Sequence, residues 1–181
     1  MSKALIVIDI QNDYFENGAM ELTGSLEASE KAKLMIENFR SENLPVIHVQ
    51  HLSVAPDAFF FLPETEGVKI HNNVEPLVGE KVITKYYPNS FRDTDLLEHL
   101  ESLKITELVF VGMMTQMCVD ATVRAAKDFG FECTVIGDAC ATRDLEVNNR
   151  SVSAADVQTS FLAGLSFFYA DIKDTADYLS A

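Results

Sequence analysis

Positive charge is scarce in this sequence. Its 181 residues include 28 Asp and Glu but only 14 Lys and Arg, so the formal net charge is −14. Nucleic acids and anionic membranes bind basic surfaces, which excludes both classes of partner from our expectations. No stretch approaches the roughly 18 consecutive apolar residues that a membrane span requires. We therefore expect a soluble globular protein with no nucleic-acid partner and no membrane partner.

Cysteine is also scarce. The three cysteines are an odd number and are spread from position 118 to position 140, so they do not form a disulfide framework. The first residues, Met1-Ser2-Lys3, lead directly into an apolar strand rather than into a signal peptide. Together these features predict a cytoplasmic protein.

Low-complexity tracts, internal repeats and Pro/Ser-rich linkers are missing as well. A chain of 181 residues can fill one hydrophobic core but not two ordinary ones, so residues 1–181 are predicted to form a single domain. There is no GxGxxG phosphate loop either, and we predict no nucleotide cofactor.

Short apolar segments alternate with amphipathic ones along the chain. This alternation predicts an α/β domain with a doubly wound, Rossmann-like, mostly parallel sheet of about six strands and helices on both faces. Ser25, Thr94 and Thr115 are expected to cap helices, and Gly130 is expected to end one. Strands are predicted at 4–8, 45–49, 81–84, 108–111, 133–136 and 167–170, and helices at about 25–39, 94–103, 115–130, 153–164 and 175–179.

The segment 108–124 carries the first chemical signal. It begins as a buried β-branched strand, is broken at Gly112 and continues with helical spacing, which places Cys118 in the first helical turn. The helix dipole and the unpaired N–H groups there favour thiolate and can hold an oxyanion. The alternative is a small, inert, buried cysteine.

Three reactive residue types end three predicted strands. Asp9 follows the first strand, Lys85 follows the third, and Cys118 follows the central one. In parallel α/β sheets the ligand crevice lies at the carboxyl ends of the strands. These side chains are therefore expected to meet, either as catalytic machinery or as a structural Asp–Lys pair beside an inert thiol.

Four segments carry a resemblance to a known family. They read ALIVIDIQNDYF (4–15), HVQH (48–51), VITKYYPNSF (82–91) and VGMMTQMCVDATVRAAKDFGFECTVIGDACAT (111–142). In this order and spacing they resemble the isochorismatase-like cysteine hydrolases, a superfamily that includes nicotinamidases, N-carbamoylsarcosine amidases and isochorismatases. The resemblance extends over nearly the whole chain.

The resemblance implies a catalytic triad of Asp9, Lys85 and Cys118. It also implies a cis peptide bond at Met113-Met114 and an oxyanion hole made by the backbone N–H groups of Met114 and Cys118. With these residues the expected reaction is hydrolysis of a small-molecule amide, imide or carbamoyl C–N bond through a thioester. Asp9 would act as base and acid, Lys85 as the electrostatic orienter and Cys118 as the nucleophile.

The long irregular stretch 52–80, with its three adjacent phenylalanines at 59–61, is interpreted as a pocket wall or a subunit contact. Aromatic walls suit a small planar substrate. The predicted substrate-binding residues are Phe15, Phe60, Tyr86, Phe91 and Gln116, with Phe61 and Tyr87 as further candidates.

Nicotinamidases carry an Asp-x-His metal pair after the second strand, which this chain lacks. His48 and His51 are three residues apart and should point to opposite sides, so no metal site is predicted. Two other functions stay open: a vinyl ether hydrolase of isochorismatase type that uses Asp9 as the acid, and a non-catalytic binding protein. Family resemblance also implies a homodimer or homotetramer, with residues 59–61 and 161–165 as candidate contacts.

Overall fold

The computed structural model describes residues 2–180 and contains a six-stranded, entirely parallel sheet. The sheet has the order β3-β2-β1-β4-β5-β8, and β6 and β7 form a separate antiparallel hairpin. This confirms the predicted doubly wound α/β class. The strands are β1 (Lys3–Ile8), β2 (Val46–His51), β3 (Lys81–Lys85), β4 (Glu107–Met113), β5 (Glu132–Ala141), β6 (Leu145–Val147), β7 (Arg150–Val152) and β8 (Asp171–Lys173).

Helices cover both faces of the sheet. They are α1 (Ser25–Ser41), α2 (Leu96–Ser102), α3 (Asp120–Asp128), α4 (Ala154–Ser166) and α5 (Thr175–Leu179). Buried residues of α1 share one apolar cluster, and α5 packs against the same cluster. Buried residues of α2, α3 and α4 share the cluster on the opposite face. Among the described residues, no helix is both long and apolar enough to cross a membrane.

The central strand β1 shows why both faces are filled. Ile6 and Ile8 belong to one apolar cluster, whereas Leu5 and Val7 belong to the other. Side chains alternate across a strand, so a continuous apolar run supplies both cores at once. This run is the feature that made the strand recognisable from the sequence.

Several local predictions are corrected by the structure. Ser25 is the first residue of α1 rather than its cap, which is Gly24 in a left-handed conformation. The last strand is Asp171–Lys173, not 167–170, and Phe167 and Phe168 are instead exposed after α4. Leu165, in the segment offered as a subunit contact, is fully buried. Apolar side chains that follow a helix resemble a strand in the sequence. Within residues 2–180, however, the segment 167–170 pairs with no strand.

The order of the strands reverses between β1 and β4, which opens a crevice at their carboxyl ends. Strands β2 and β3 extend from one side of β1, and β5 and β8 extend from the far side of β4. Gly112, paired with Ile8 across β1 and β4, has a φ of 140°. A Cβ at Gly112 would overlap the carbonyl oxygen of Ile8. Only glycine lets the two backbones approach so closely at this crevice.

Asp13 forms hydrogen bonds to the long segment 52–80. The Asp13 carboxylate accepts the backbone N–H of Phe61, in this segment, at 2.6 Å and that of Ala19, outside it, at 3.2 Å. The N–H of Asp13 donates to the carbonyl of Gly67 at 2.9 Å. Asp13 is buried, so these bonds lie largely out of water. The side chain and main chain of Asp13 therefore help to hold this loop, together with bonds from its neighbours such as Asn12 N–H to Lys69 O at 3.0 Å.

The first prediction concerns Gly112. We expect Gly112→Ala to lower the free energy of unfolding by more than ~2 kcal/mol, because it adds a backbone overlap to an unfavourable φ. Gly130→Ala is the matched control, since Gly130 also has a positive φ but has open space around its Cβ position; we expect it to cost about 1 kcal/mol. Chemical denaturation of both variants measures the difference. If both variants lost the same free energy of unfolding, the close approach of the Gly112 and Ile8 backbones would not be the reason that position 112 requires glycine.

The second prediction concerns Asp13. Replacing it with Ala leaves the Phe61 N–H without its buried acceptor and should cost about 1–3 kcal/mol. Hydrogen exchange at the Phe61 amide should also accelerate. Asp57→Ala, in an exposed part of the same loop, is the control and should stay within about 0.5 kcal/mol of wild type. Unchanged protection of Phe61 in Asp13→Ala would refute the anchoring role.

Candidate active site

Asp9 lies immediately after β1, at the centre of the crevice. Its backbone has a φ of 50°, a conformation that residues other than glycine rarely adopt. The main chain is held there because the Asp9 N–H donates to Val49 O at 3.0 Å and the Asp9 carbonyl accepts from Gln11 N at 3.0 Å. The side chain is fully buried. A strained backbone with a buried carboxylate is a frequent feature of functional sites.

Lys85 ends β3 and is also fully buried. Its Nζ lies 2.7 Å from Asp9 Oδ2, 2.9 Å from His51 Nδ1 and 3.2 Å from Cys118 Sγ. Burial alone lowers the pKa of Lys85, but its interactions with Asp9 and Cys118 together raise that pKa above its usual value. The residue is therefore a permanent cation between a carboxylate and a thiol.

Cys118 lies in a π-helical turn, Thr115–Val119, that leads into α3. Such turns often occur at functional sites. Thr115 does not cap this turn with its side chain, contrary to the sequence-based expectation; its buried hydroxyl donates to Gln158 Oε1 of α4 at 2.6 Å. The peptide bond between Met113 and Met114 is cis, as the resemblance implied. The use of the Met114 and Cys118 N–H groups as an oxyanion hole stays a prediction.

The resting state of Cys118 differs from the expected one. Burial raises the pKa of its thiol, and the negative charge of Asp9 raises it further, whereas Lys85 lowers it only in part. The helix start was expected to favour thiolate, but the sulfur is withdrawn from water and lies beside a carboxylate. The raised pKa favours the thiol over the thiolate in the free site.

A cleft of about 230 Å³ opens onto Cys118. Its walls are mostly aromatic and apolar, and it is small for a ligand site. Tyr14 is almost fully buried there; burial raises the pKa of its hydroxyl well above the usual value, and the nearby Asp9 charge acts in the same direction, so this hydroxyl is neutral. The residues that border the cleft are Tyr14, His51, Phe60, Phe61, Tyr86, Pro88, Met114, Met117 and Cys118.

Two of the five predicted substrate-binding residues, Phe60 and Tyr86, line this cleft, and so does the further candidate Phe61. Both Phe60 and Tyr86 also border an outer compartment of about 440 Å³, to which Phe59 and Tyr87 contribute. The three adjacent phenylalanines therefore lie in different surroundings. Phe61 is buried, Phe60 lies between the two compartments, and Phe59 is largely exposed.

The other three predicted substrate-binding residues lie elsewhere. Phe15 stacks on His71 with ring centroids 3.7 Å apart, outside the cleft. Phe91 is buried in the apolar core and packs against Phe129 with ring centroids 5.1 Å apart. Gln116 uses its side-chain oxygen to accept from the Thr142 hydroxyl at 2.6 Å, which ties the π-helical turn to the end of β5. Packing and a local hydrogen bond account for these side chains without a substrate.

Sequence reasoning missed Tyr14, His51, Pro88 and Met117 as cleft residues. Tyr14 was part of the motif that contains Asp9, and His51 was part of HVQH, so a signal was present for both. His51 was discounted because it cannot chelate a metal together with His48. The structure confirms that they diverge, since His48 Nε2 lies 3.0 Å from Glu80 whereas His51 Nδ1 lies 2.9 Å from Lys85.

The ligand atoms of Asp9, His51 and Cys118 all lie within 4.8 Å of one another. Carboxylate, imidazole and thiolate are metal-ligand types. However, the Lys85 ammonium lies within 3.2 Å of each of the three, in the volume that a metal ion would need. This geometry does not fit a metal ion while Lys85 keeps its place.

The electrostatics of Cys118 generate a prediction for Asp9→Asn. Removing the Asp9 charge while Lys85 stays should lower the pKa of the Cys118 thiol and raise its thiolate fraction, so labelling by iodoacetamide at pH 7 should accelerate about tenfold or more. Mass spectrometry of the labelled peptides from pH 6 to pH 9 measures the rates. Cys140, also buried, with a pKa raised to about 12, is the internal control. Slower labelling would mean that Asp9 already activates the thiol in the free protein.

Three comparisons place this chain among known proteins. Residues 3–162 match the isochorismatase domain model. An uncharacterized isochorismatase family protein of Bacillus subtilis is 48% identical over 179 residues, 99% of each chain. A crystal structure from Oleispira antarctica, assigned to the isochorismatase hydrolases, superposes with a TM-score of 0.96 at 45% identity and covers 99% of this chain and 97% of that one.

A more distant relative is an enzyme of named activity. The nicotinamidase of Escherichia coli is 25% identical over 214 residues, which covers 96% of this chain and 98% of that protein. The matched domain, the relatives and the superposed structure agree with one another across nearly the whole length. The chain therefore belongs to the isochorismatase family of hydrolases.

Proposed function

We propose that this hydrolase cleaves the C–N bond of a small amide, imide or carbamoyl compound through a thioester on Cys118. The single observation that carries the proposal is the Lys85 ammonium, which lies 2.7 Å from Asp9 and 3.2 Å from Cys118. Of these three residues, Cys118 borders the aromatic cleft. A nucleophile, a base and a fixed cation in hydrogen-bonding range are the minimum that acyl transfer to sulfur needs.

In the first step the Cys118 sulfur attacks the carbonyl carbon and its proton passes to Asp9. A C–S bond forms, and the carbonyl electron pair moves to oxygen. The backbone N–H groups of Met114 and Cys118 would stabilise that oxyanion. Lys85 keeps its proton throughout, and its charge stabilises the developing anions.

Collapse of the tetrahedral intermediate restores the carbonyl and breaks the C–N bond. The leaving nitrogen takes the proton from Asp9 and departs as ammonia or an amine. Water then enters, gives a proton to Asp9 and attacks the thioester carbon. The C–S bond breaks, the acid leaves, and the sulfur regains its proton from Asp9.

The high pKa of the thiol suits this sequence of steps. A thiol that is neutral in the empty site is protected from adventitious alkylation and oxidation, because thiolate is the reactive form. Proton transfer to Asp9 then accompanies the attack instead of preceding it. We therefore expect the turnover rate to depend on an ionised Asp9 rather than on free thiolate.

The cleft indicates the size and shape of the substrate. A volume of about 230 Å³ bordered by Tyr14, Phe60, Phe61 and Tyr86 suits a small planar or ring-bearing acyl group. The name of the nicotinamidase relative describes the same bond type on an aromatic ring. Nicotinamide itself is not our expectation, since the Asp-x-His metal pair is missing from the segment 48–52.

The corresponding test is a screen of small primary amides and carbamoyl compounds for ammonia release. With any substrate found, Cys118→Ala should reduce kcat by about 10³-fold or more, the loss seen when other catalytic nucleophiles are removed. Cys133→Ala, a buried cysteine outside the cleft, is the matched control and should keep its turnover.

The same variants separate the alternatives. If Cys118→Ala retains turnover of a vinyl ether while Asp9→Asn loses it, the isochorismatase-type reaction replaces our proposal. If the wild-type protein hydrolyses neither the amides and carbamoyl compounds nor a vinyl ether, yet binds one of these compounds without changing it, the result favours the binding-protein alternative.

A further inference from the structure

Lys85 has one contact that the proposed reaction does not use, the 2.9 Å contact to His51 Nδ1. We propose that His51 is a positioning residue of the triad, which accepts a hydrogen bond from the Lys85 ammonium and so holds Nζ between Asp9 and Cys118. The assignment of the triad roles rests on the proposed function. The hydrogen bond itself is independent of any substrate.

The first argument is a count of donors and acceptors. An ammonium carries three donors and no acceptor. Three groups lie within 3.2 Å of Nζ: the Asp9 carboxylate, the Cys118 sulfur and His51 Nδ1. A protonated Nδ1 would direct an N–H at an ammonium, so Nδ1 must be the unprotonated nitrogen. His51 is then the neutral tautomer with its proton on Nε2.

The second argument is that the surroundings keep this imidazole neutral. Burial lowers the pKa of His51 to about 4, with the Lys85 charge acting in the same direction and the Asp9 charge opposing it. Burial also raises the pKa of the cleft residues Tyr14 and Cys118, which favours their neutral forms. The imidazole is therefore available as an acceptor throughout the physiological pH range.

The third argument is that the backbone is built to present His51. His51 and Lys85 are direct partners across β2 and β3, so their side chains leave the sheet on the same face. The buried side chain of Gln11 forms two hydrogen bonds with the main chain of His51. Gln11 Nε2 donates to His51 O at 2.9 Å and to Val68 O at 2.7 Å, while Gln11 Oε1 accepts from His51 N at 2.7 Å.

These contacts give His51 a physical task. Lysine has a long, flexible side chain, and a lone carboxylate would attract its ammonium strongly. His51 Nδ1 is a third acceptor for the Lys85 ammonium and fixes the position of Nζ, so that one N–H of the ammonium still reaches the Cys118 sulfur. Without this acceptor, Nζ is free to rotate towards Asp9, and the positive charge at Cys118 weakens.

The first measurement uses wild-type protein, with a variant needed only for assignment. Long-range proton–nitrogen NMR correlations report which ring nitrogen of His51 carries the proton, and the His51 signals are assigned by their absence in His51→Asn. We expect Nε2 protonated and Nδ1 unprotonated at pH 7. A proton on Nδ1 at pH 7 would overturn the proposal.

The second measurement compares two variants of similar size. His51→Asn keeps an oxygen that can accept from Lys85, whereas His51→Leu does not. The pH profile of Cys118 labelling by iodoacetamide should move upward by about one pH unit in His51→Leu, which is roughly tenfold slower labelling at a given pH, and should stay near wild type in His51→Asn. Equal profiles for wild type and His51→Leu would overturn the proposal.

A spectroscopic readout separates positioning from general structural damage. A buried, hydrogen-bonded ammonium gives a protected Lys85 Nζ signal in proton–nitrogen spectra, identified by its absence in Lys85→Met. We expect the signal in wild type and in His51→Asn and its loss in His51→Leu. Its persistence in His51→Leu would overturn the proposal. None of these experiments needs turnover, so failure to find an amide substrate would count against the proposed function alone.

Discussion

A carboxylate and an ammonium withdrawn from water are the constraint around which this molecule is built. Asp9 and Lys85 are both completely buried and only 2.7 Å apart. Removing two charges from water is expensive, and the attraction between them offsets the penalty only when the geometry is good and their other hydrogen-bonding capacity is used. The chain meets that condition for the ammonium by bringing His51 and the Cys118 sulfur to it.

Three of the residues with positive φ lie in or next to the crevice. Asp9 has a φ of 50°, Gly112 has a φ of 140° beside it on β4, and Phe61 has a φ of 53° on the loop above the cleft. Each conformation has its own contact. Hydrogen bonds to Val49 and Gln11 hold the main chain of Asp9. Gly112 packs closely against the backbone of Ile8, and the Asp13 carboxylate accepts the N–H of Phe61. Strain of this kind persists only where the surroundings enforce it, which is typical of sites that position reactive groups.

The electrostatics of the site bear on the order of steps in the proposed reaction. A cysteine at a helix start suggests a ready thiolate, and the helix argument by itself is sound. Here desolvation and the neighbouring carboxylate act against it by raising the pKa of the thiol. In the proposed reaction, proton transfer to Asp9 therefore accompanies the attack on the substrate instead of preceding it.

The sequence by itself determined the parallel α/β architecture and the meeting of Asp9, Lys85 and Cys118. Apolar β-branched runs form buried strands, and the carboxyl ends of parallel strands converge whatever the details of packing. It could not assign Phe15, Phe91 or Gln116, because an aromatic ring or an amide looks the same in a core, in a stack and in a pocket wall. Only the tertiary structure decided which rings face the cleft, that His51 contacts the ammonium, and that burial raises the pKa of the Cys118 thiol. These properties depend on the distances between segments that are far apart in the chain and on how deeply those segments bury each residue. A local sequence pattern specifies neither.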